Sequence, residues 1–149
     1  MSNVAVVSFD KTLEVRDTCL CLHAHRAARV LARRFDEAFR PLGLTHGQFS
    51  LLISLNRPQP AGLVALAVLM GVDRTTVTAA LKPLQRRGLV QVAADPGDRR
   101  GRLLALTTAG AELLAEATPI WDRTHAAVEA QLVASEPDGL RRGLRAVSG

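Results

Sequence analysis

Residues 89–107 constrain the fold more than any other stretch. Two strand-length runs, Leu89 to Ala94 and Arg102 to Leu106, stand either side of Pro96-Gly97, and a Pro-Gly pair between such runs closes a β-hairpin. Three arginines, Arg99, Arg100 and Arg102, fall within four positions at its tip. The hairpin follows at once on Gly88, which reads as the glycine that ends a helix. A chain that passes from a helix straight into a cationic hairpin has few architectures open to it, and the upstream segments narrow them further.

Leu63 to Met70 reads as a short helix and Gly71-Val72 as a tight turn. Asp73 is then the N-cap of a second helix through about Arg87, its carboxylate placed to accept free backbone N–H groups. Val77, Ala80, Leu81 and Leu84 repeat on the core side of that helix, and Pro83 inside it predicts a bend. Ahead of this pair, Thr45-His46-Gly47-Gln48 has the form of a capping box for a helix to about Leu55. Earlier still, a helical pattern from about Leu13 to Phe39 sets Leu20, Ala24, Ala27, Leu31, Phe35 and Ala38 on one face and Arg26, Arg29, Arg33 and Arg40 on another. Residues 1–10 read as a loose arm. After the hairpin, Thr107 or Thr108 caps a long helix from about Ala109 to Val133 with Pro119 inside it. Ser135 caps a last helix with Pro137 in its first turn. The whole is mainly α with a small β-hairpin. Helix, turn, helix and hairpin in that order make a winged helix-turn-helix lobe over residues 45–107, within a single chain unit, 1–149. The apolar stripe over residues 20–38 is long for so small a chain and asks for a partner surface.

Charge points the same way. The net charge is +5, and residues 61–108 hold seven basic and three acidic side chains against four and six in residues 109–149. The middle third is therefore the polyanion-facing part. In a helix-turn-helix the second helix enters the DNA major groove by its N-terminal half. Here that half offers Arg74, Thr75, Thr76, Thr78, Ala79 and, one turn on, Lys82. Threonine hydroxyls bond base edges or phosphates, and their methyl groups touch thymine methyls. A narrow minor groove concentrates negative potential, which suits an arginine on a thin hairpin, with Asp98 holding one arginine in place. The plainer alternatives are an exposed polar helix face and a solvated hairpin of mixed charge, worth little energy.

Other classes find little support. The sequence has no Gly-rich phosphate loop, nucleophile elbow or paired acid cluster, so neither an enzyme nor a cofactor is expected. His23 and His25 are spaced by two, not by the three or four that gathers ligands on a helix, and no metal site is expected. Cys19 and Cys21 are too few and too close to staple a fold. No run approaches the roughly 18 apolar residues of a membrane span. The expected setting is a reducing cytoplasm, with no membrane partner.

Leu44-Thr45 with Gln48-Phe49, Asp73-Arg74-Thr75-Thr76-Val77-Thr78, Leu84-Gln85-Arg86-Arg87-Gly88-Leu89-Val90, and Asp95-Pro96-x-Asp98-Arg99-Arg100 ending in Leu104-x-Leu106-Thr107 resemble the multiple-antibiotic-resistance-regulator (MarR) family. The resemblance runs over about residues 15–135, and the hairpin motif is its most specific part. It implies a homodimeric regulator of transcription on double-stranded DNA, with dimer contacts from helices in 10–40 and 109–149 and a near-palindromic operator. Carried onto matching positions, it marks Arg74, Thr75, Thr76, Thr78, Arg99, Arg100 and Arg102 as DNA contacts. The chain departs from the pattern at Ala79 and Ala80, where relatives often carry polar or basic residues, which thins the expected base readout.

The resemblance further implies a repressor released by a small aromatic or phenolic ligand. By position His23, Arg26, His46, Phe49 and Trp121 would line its crevice; the alternative makes Phe49 and Trp121 core and the histidines surface. Cys19 and Cys21 are similar to the peroxide-sensing cysteine of some relatives, although the chain has no tyrosine to act as donor. Two residues apart on one helix, they would face different ways and not bond each other; the alternative makes them small apolar residues of an interface. A winged helix that binds protein instead of DNA is the remaining reading.

Overall fold

A computed structural model describes residues 6–132 and 134–149. The chain divides into two compact units, residues 1–34 and 35–149. The first holds α1 (Phe9–Thr18) and the greater part of α2 (Leu20–Phe39). The expected single helix over 13–39 is thus interrupted. Cys19 is extended at φ −68°, ψ 107°, and its sulfur accepts the N–H of Leu22 at 3.5 Å, so it starts a second helix instead of continuing the first. Of the expected loose arm, residues 1–5 lie outside the described residues, and Phe9 and Asp10 already belong to α1. Phe9, Val15, Leu20, Leu22, Val30 and Leu31 all stand exposed.

The second unit begins with the last turn of α2 and a 3-10 turn at Arg40–Leu42, ended by Gly43 at φ +62°. Then come α3 (His46–Ser54), β1 (Ala61–Gly62), α4 (Leu63–Met70), α5 (Arg74–Arg86), β2 (Val90–Asp95), β3 (Asp98–Leu106), α6 (Thr108–Glu129) and α7 (Pro137–Ser148). Short polar side chains set the helix starts. Thr45 completes both halves of its capping box with Gln48, and Thr107 Oγ1 accepts the N–H of Gly110 at 3.0 Å. α5 runs on through Pro83. Proline cannot bond the Ala79 carbonyl, but Ala79 is exposed, so the lost bond is not a buried one. α7 differs from expectation: its N-cap is Glu136, not Ser135, with no side-chain bond. The expected end of the preceding helix, Val133, lies outside the described residues, and α6 stops at Glu129.

The sheet has the order β1-β3-β2, antiparallel throughout. β1 escaped the sequence because it is two residues long; Ala61 and Gly62 are strand only because Leu104 and Leu103 lie beside them. The core draws on every layer: Phe39 from α2, Leu52 from α3, Leu66 from α4, Val77 and Leu84 from α5, and Leu104 from β3 are all enclosed. Truncating such a leucine to alanine costs about 2–5 kcal/mol. Gly110 lets α6 dock on this core, because a Cβ there would lie 2.1 Å from the carbonyl oxygen of Leu89. Among the described residues no single helix is long and apolar enough to cross a membrane.

Candidate nucleic-acid interface

α4 and α5 turn through 103° across residues 71–73, within the range of a helix-turn-helix corner. Val77, Leu81 and Leu84 hold one side of α5 in the core, which leaves Thr75, Thr78, Ala79 and Lys82 together on the opposite, exposed side, flanked by Arg74 and Thr76. Ala80 is half-buried and packs on the core, so of the two alanines only Ala79 belongs to the outer face.

Asp73 starts the helix. Its Oδ1 accepts the N–H of Thr76 at 2.7 Å. That bond, with a second from the Thr76 hydroxyl, holds the Asp73 carboxyl below the usual carboxylate range. Thr78 Oγ1 donates to the carbonyl of Arg74 at 2.8 Å. Thr78 thus directs its hydroxyl proton into its own helix. Among the described residues the Thr75 hydroxyl makes no hydrogen bond.

The hairpin is not a plain two-strand tip. Ala94 pairs with Arg102 and Asp95 with Asp98, so Arg99, Arg100 and Gly101 have no partners on β2 and form a bulge. The arginines therefore sit on the returning strand, not in the turn. Two carboxylates fix this shape through the backbone: Asp95 Oδ1 accepts the N–H of Gly97 at 2.9 Å, and Asp98 Oδ1 accepts the N–H of Arg100 at 3.0 Å. Asp98, expected to hold an arginine in place, accepts from the main chain of Arg100, and among the described residues it forms no ion pair with a guanidinium. Gly101 is required by the packing, since a Cβ would lie 2.9 Å from that of Asp95.

Arg74, Arg100 and Arg102 meet around one crevice of about 140 Å³ between the start of α5 and the root of the bulge, which Asp95 and Asp98 also line. Among the described residues, Arg74, Lys82, Arg99 and Arg100 form no ion pair, while Arg102 donates to the carbonyl of Gly101 at 3.0 Å. Asp95, Gly101 and Arg87 escaped the sequence reading. Asp95 was legible as an Asx-turn residue before Pro-Gly; nothing local marked the other two.

The five ligand-crevice candidates are divided between the two units. His23 and Arg26 are exposed on α2 in the first unit, with His23 Nδ1 2.8 Å from the carbonyl of Cys19. In the second unit, His46 is bound to Asp36, whose Oδ1 accepts its backbone N–H at 2.7 Å and lies 2.9 Å from its Nδ1. Phe49 is 7% exposed and stacks on Phe39 with centroids 4.7 Å apart. Trp121 is half-buried and stacks on His125 at 4.4 Å. A cavity of about 380 Å³ lies elsewhere, between Arg57, Pro58, Leu106 and Ala111. Cys19 and Cys21 are free thiols. The premise that one helix carries both of them fails, because Cys19 precedes α2. Among the described residues no group of three metal-ligating side chains occurs.

A right-angled helix pair beside a three-stranded sheet, with a basic bulge next to the second helix, defines a winged helix-turn-helix protein of the DNA-binding kind. The chain belongs to the MarR family, whose model matches residues 44–101. MarR-family transcription regulators are DNA-binding proteins and not enzymes. The transcriptional regulator MosR of M. tuberculosis, solved in complex with DNA, is 37% identical over 88% of this chain and 94% of that one, with a TM-score of 0.79. The transcriptional repressor NicR of Pseudomonas putida is 39% identical over 71 residues, 48% of this chain and 45% of NicR. The multiple antibiotic resistance protein MarR of Escherichia coli is 35% identical over 81 residues, 54% of this chain and 56% of MarR. The chain thus spans about half the length of these curated relatives.

Proposed function

We propose that this chain is a sequence-specific, DNA-binding regulator of transcription that acts as a homodimer, with 10–40 and 109–149 supplying the dimer contacts and 45–107 the DNA lobe. The observation that carries the reading is the gathering of Arg74, Arg100 and Arg102 around one crevice beside an α5 face of threonines, with Arg99 adjacent on the bulge; among the described residues Arg74, Arg99 and Arg100 form no ion pair. The outer face of α5, with Thr75, Thr76, Thr78 and Lys82, takes the major groove. The bulge takes the flanking minor groove and its phosphates. Dimerisation accounts for the apolar side chains left exposed on α1 and α2, and for Leu140, Leu144 and Val147 on one side of α7. Two-fold symmetry then gives a near-palindromic operator with half-sites about 10–10.5 base pairs apart, or a multiple.

Selection of duplexes from random sequence by the purified protein tests this. The expected result is a two-fold symmetric motif bound by a dimer. Binding with no sequence preference, or none at all, favours the protein-interaction module instead.

The similarity to NicR supports repression. Release by a small aromatic or phenolic acid would use Arg26 as the carboxylate partner, with His23 beside it on α2. Titrating salicylate-like acids into the protein–DNA complex tests this, with loss of binding abolished by Arg26→Ala as the expected result.

One observation favours a second trigger: the Cys19 sulfur caps α2. Peroxide would transfer an oxygen atom to that thiol, giving a sulfenic acid and water, and remove the cap. Equal DNA affinity of wild type, Cys19→Ser and Cys21→Ser before and after peroxide would dismiss it.

A further inference from the structure

Arg86 and Arg87 read in sequence as twin basic residues at the end of the recognition helix, yet the structure uses them differently. Arg86 is exposed and, among the described residues, has no ion pair. Arg87 turns away from its own helix. Its Nη1 donates to the carbonyl of Gly43 at 2.8 Å and its Nη2 to that of Leu42 at 3.1 Å. These carbonyls end the 3-10 turn that follows α2, where helical carbonyls lack intrahelical partners and carry partial negative charge. The guanidinium lies directly on Gly43, 3.7 Å from where a Cβ would stand. A second tie stands alongside: Asp36, in the last turn of α2, binds both the backbone and the ring of His46 at the start of α3. Between the two ties Phe39 is fully buried.

We propose that Arg87 is a positioning residue for DNA recognition: by bridging Leu42 and Gly43 it locks the end of α5 to the end of α2. In a dimer built on α2, the separation of the two recognition helices, and so the half-site spacing the protein accepts, is set through this lock. The inference rests on the homodimeric DNA-binding reading. Arg87 makes no base contact; its effect appears only when two half-sites are bound together.

The test uses the full chain and the duplex that wild type selects from random sequence. Binding is measured to that duplex, to one half-site alone, and to a duplex with one base pair inserted between the half-sites. Arg87→Met removes the donors and keeps the bulk; Arg87→Lys keeps a donor. Arg87→Met is expected to lose about tenfold on the full duplex and nothing on the half-site, to discriminate less against the insertion, and to keep its salt slope. Arg87→Lys is expected to recover most of the loss. Equal losses on full duplex and half-site, unchanged affinity on both, or a salt slope smaller by about one, the mark of a lost phosphate contact, would overturn the assignment. If wild type itself does not prefer two half-sites to one, the dimeric reading fails with it. If wild type does and Arg87→Met matches it, only the role of Arg87 fails.

Discussion

The winged lobe and the C-terminal helices both mix acids with arginines, and they pair them in opposite ways. In α6 and α7, acids bind arginines. Arg141 bridges Glu129 and Asp138, which raises its pKa, and Arg142 lies 3.8 Å from Glu136. Around α5 and the bulge, acids bind backbone amides. Asp73 takes the N–H of Thr76, Asp95 that of Gly97 and Asp98 that of Arg100. Among the described residues the guanidinium groups of Arg74, Arg99 and Arg100 form no ion pair, and a carboxylate holds the Arg100 backbone without engaging its side chain. Net charge already separates the two regions, and what the carboxylates bind sharpens the difference.

The largest effect comes from breaking the junction between them. Gly110→Ala would drive a methyl into the Leu89 carbonyl at the point where α6 meets the root of the wing. It is expected to cost about 3 kcal/mol, read as a lower denaturation midpoint. A wild-type midpoint would place the junction elsewhere. Next comes the contrast of cations. Arg100→Ala is expected to weaken DNA binding about tenfold on every sequence and to lower the salt slope by about 0.9, as one phosphate contact does. Arg141→Ala should leave affinity and slope unchanged and lower the melting temperature slightly. Similar binding losses for both variants would erase the distinction.

The smallest effect concerns the α5 cap. The Asp73 carboxyl titrates below its unfolded value because it binds the N–H of Thr76, so its ionised form stabilises the fold above the ordinary carboxylate range. That stability disappears as pH falls through the depressed value. Wild type should therefore melt above Asp73→Asn at neutral pH, and the gap should narrow as pH falls below the ordinary carboxylate range. A gap independent of pH would deny the cap its charge.

The features that were legible in sequence rest on local chemistry. Thr45, Asp73 and Thr107 announce helix starts through bonds no more than three residues long, and Pro96-Gly97 announces the turn. What stayed hidden depends on residues distant in sequence or on small shifts of register. Arg87 reaches carbonyls 44 and 45 positions away. β1 exists only by pairing with β3. Phe49 fits either a ligand wall or a core until Phe39 is seen stacked on it. Cys19 hid because helix-compatible residues, with Leu13 and Val15 before it and Leu20 and Leu22 after it, continue through it, and such a pattern does not record a single extended residue.

The central claim is that Asp98 strengthens DNA binding although its charge opposes it. The direct measurement is duplex affinity at one fixed salt concentration for wild type, Asp98→Ala and Asp98→Asn. Asp98→Ala frees the Arg100 amide and should bind about three- to tenfold more weakly, even though it is one charge more positive. Asp98→Asn keeps an acceptor for that amide and should bind at least as tightly as wild type. Tighter binding by Asp98→Ala would contradict the account, because the carboxylate would then be only a misplaced negative charge.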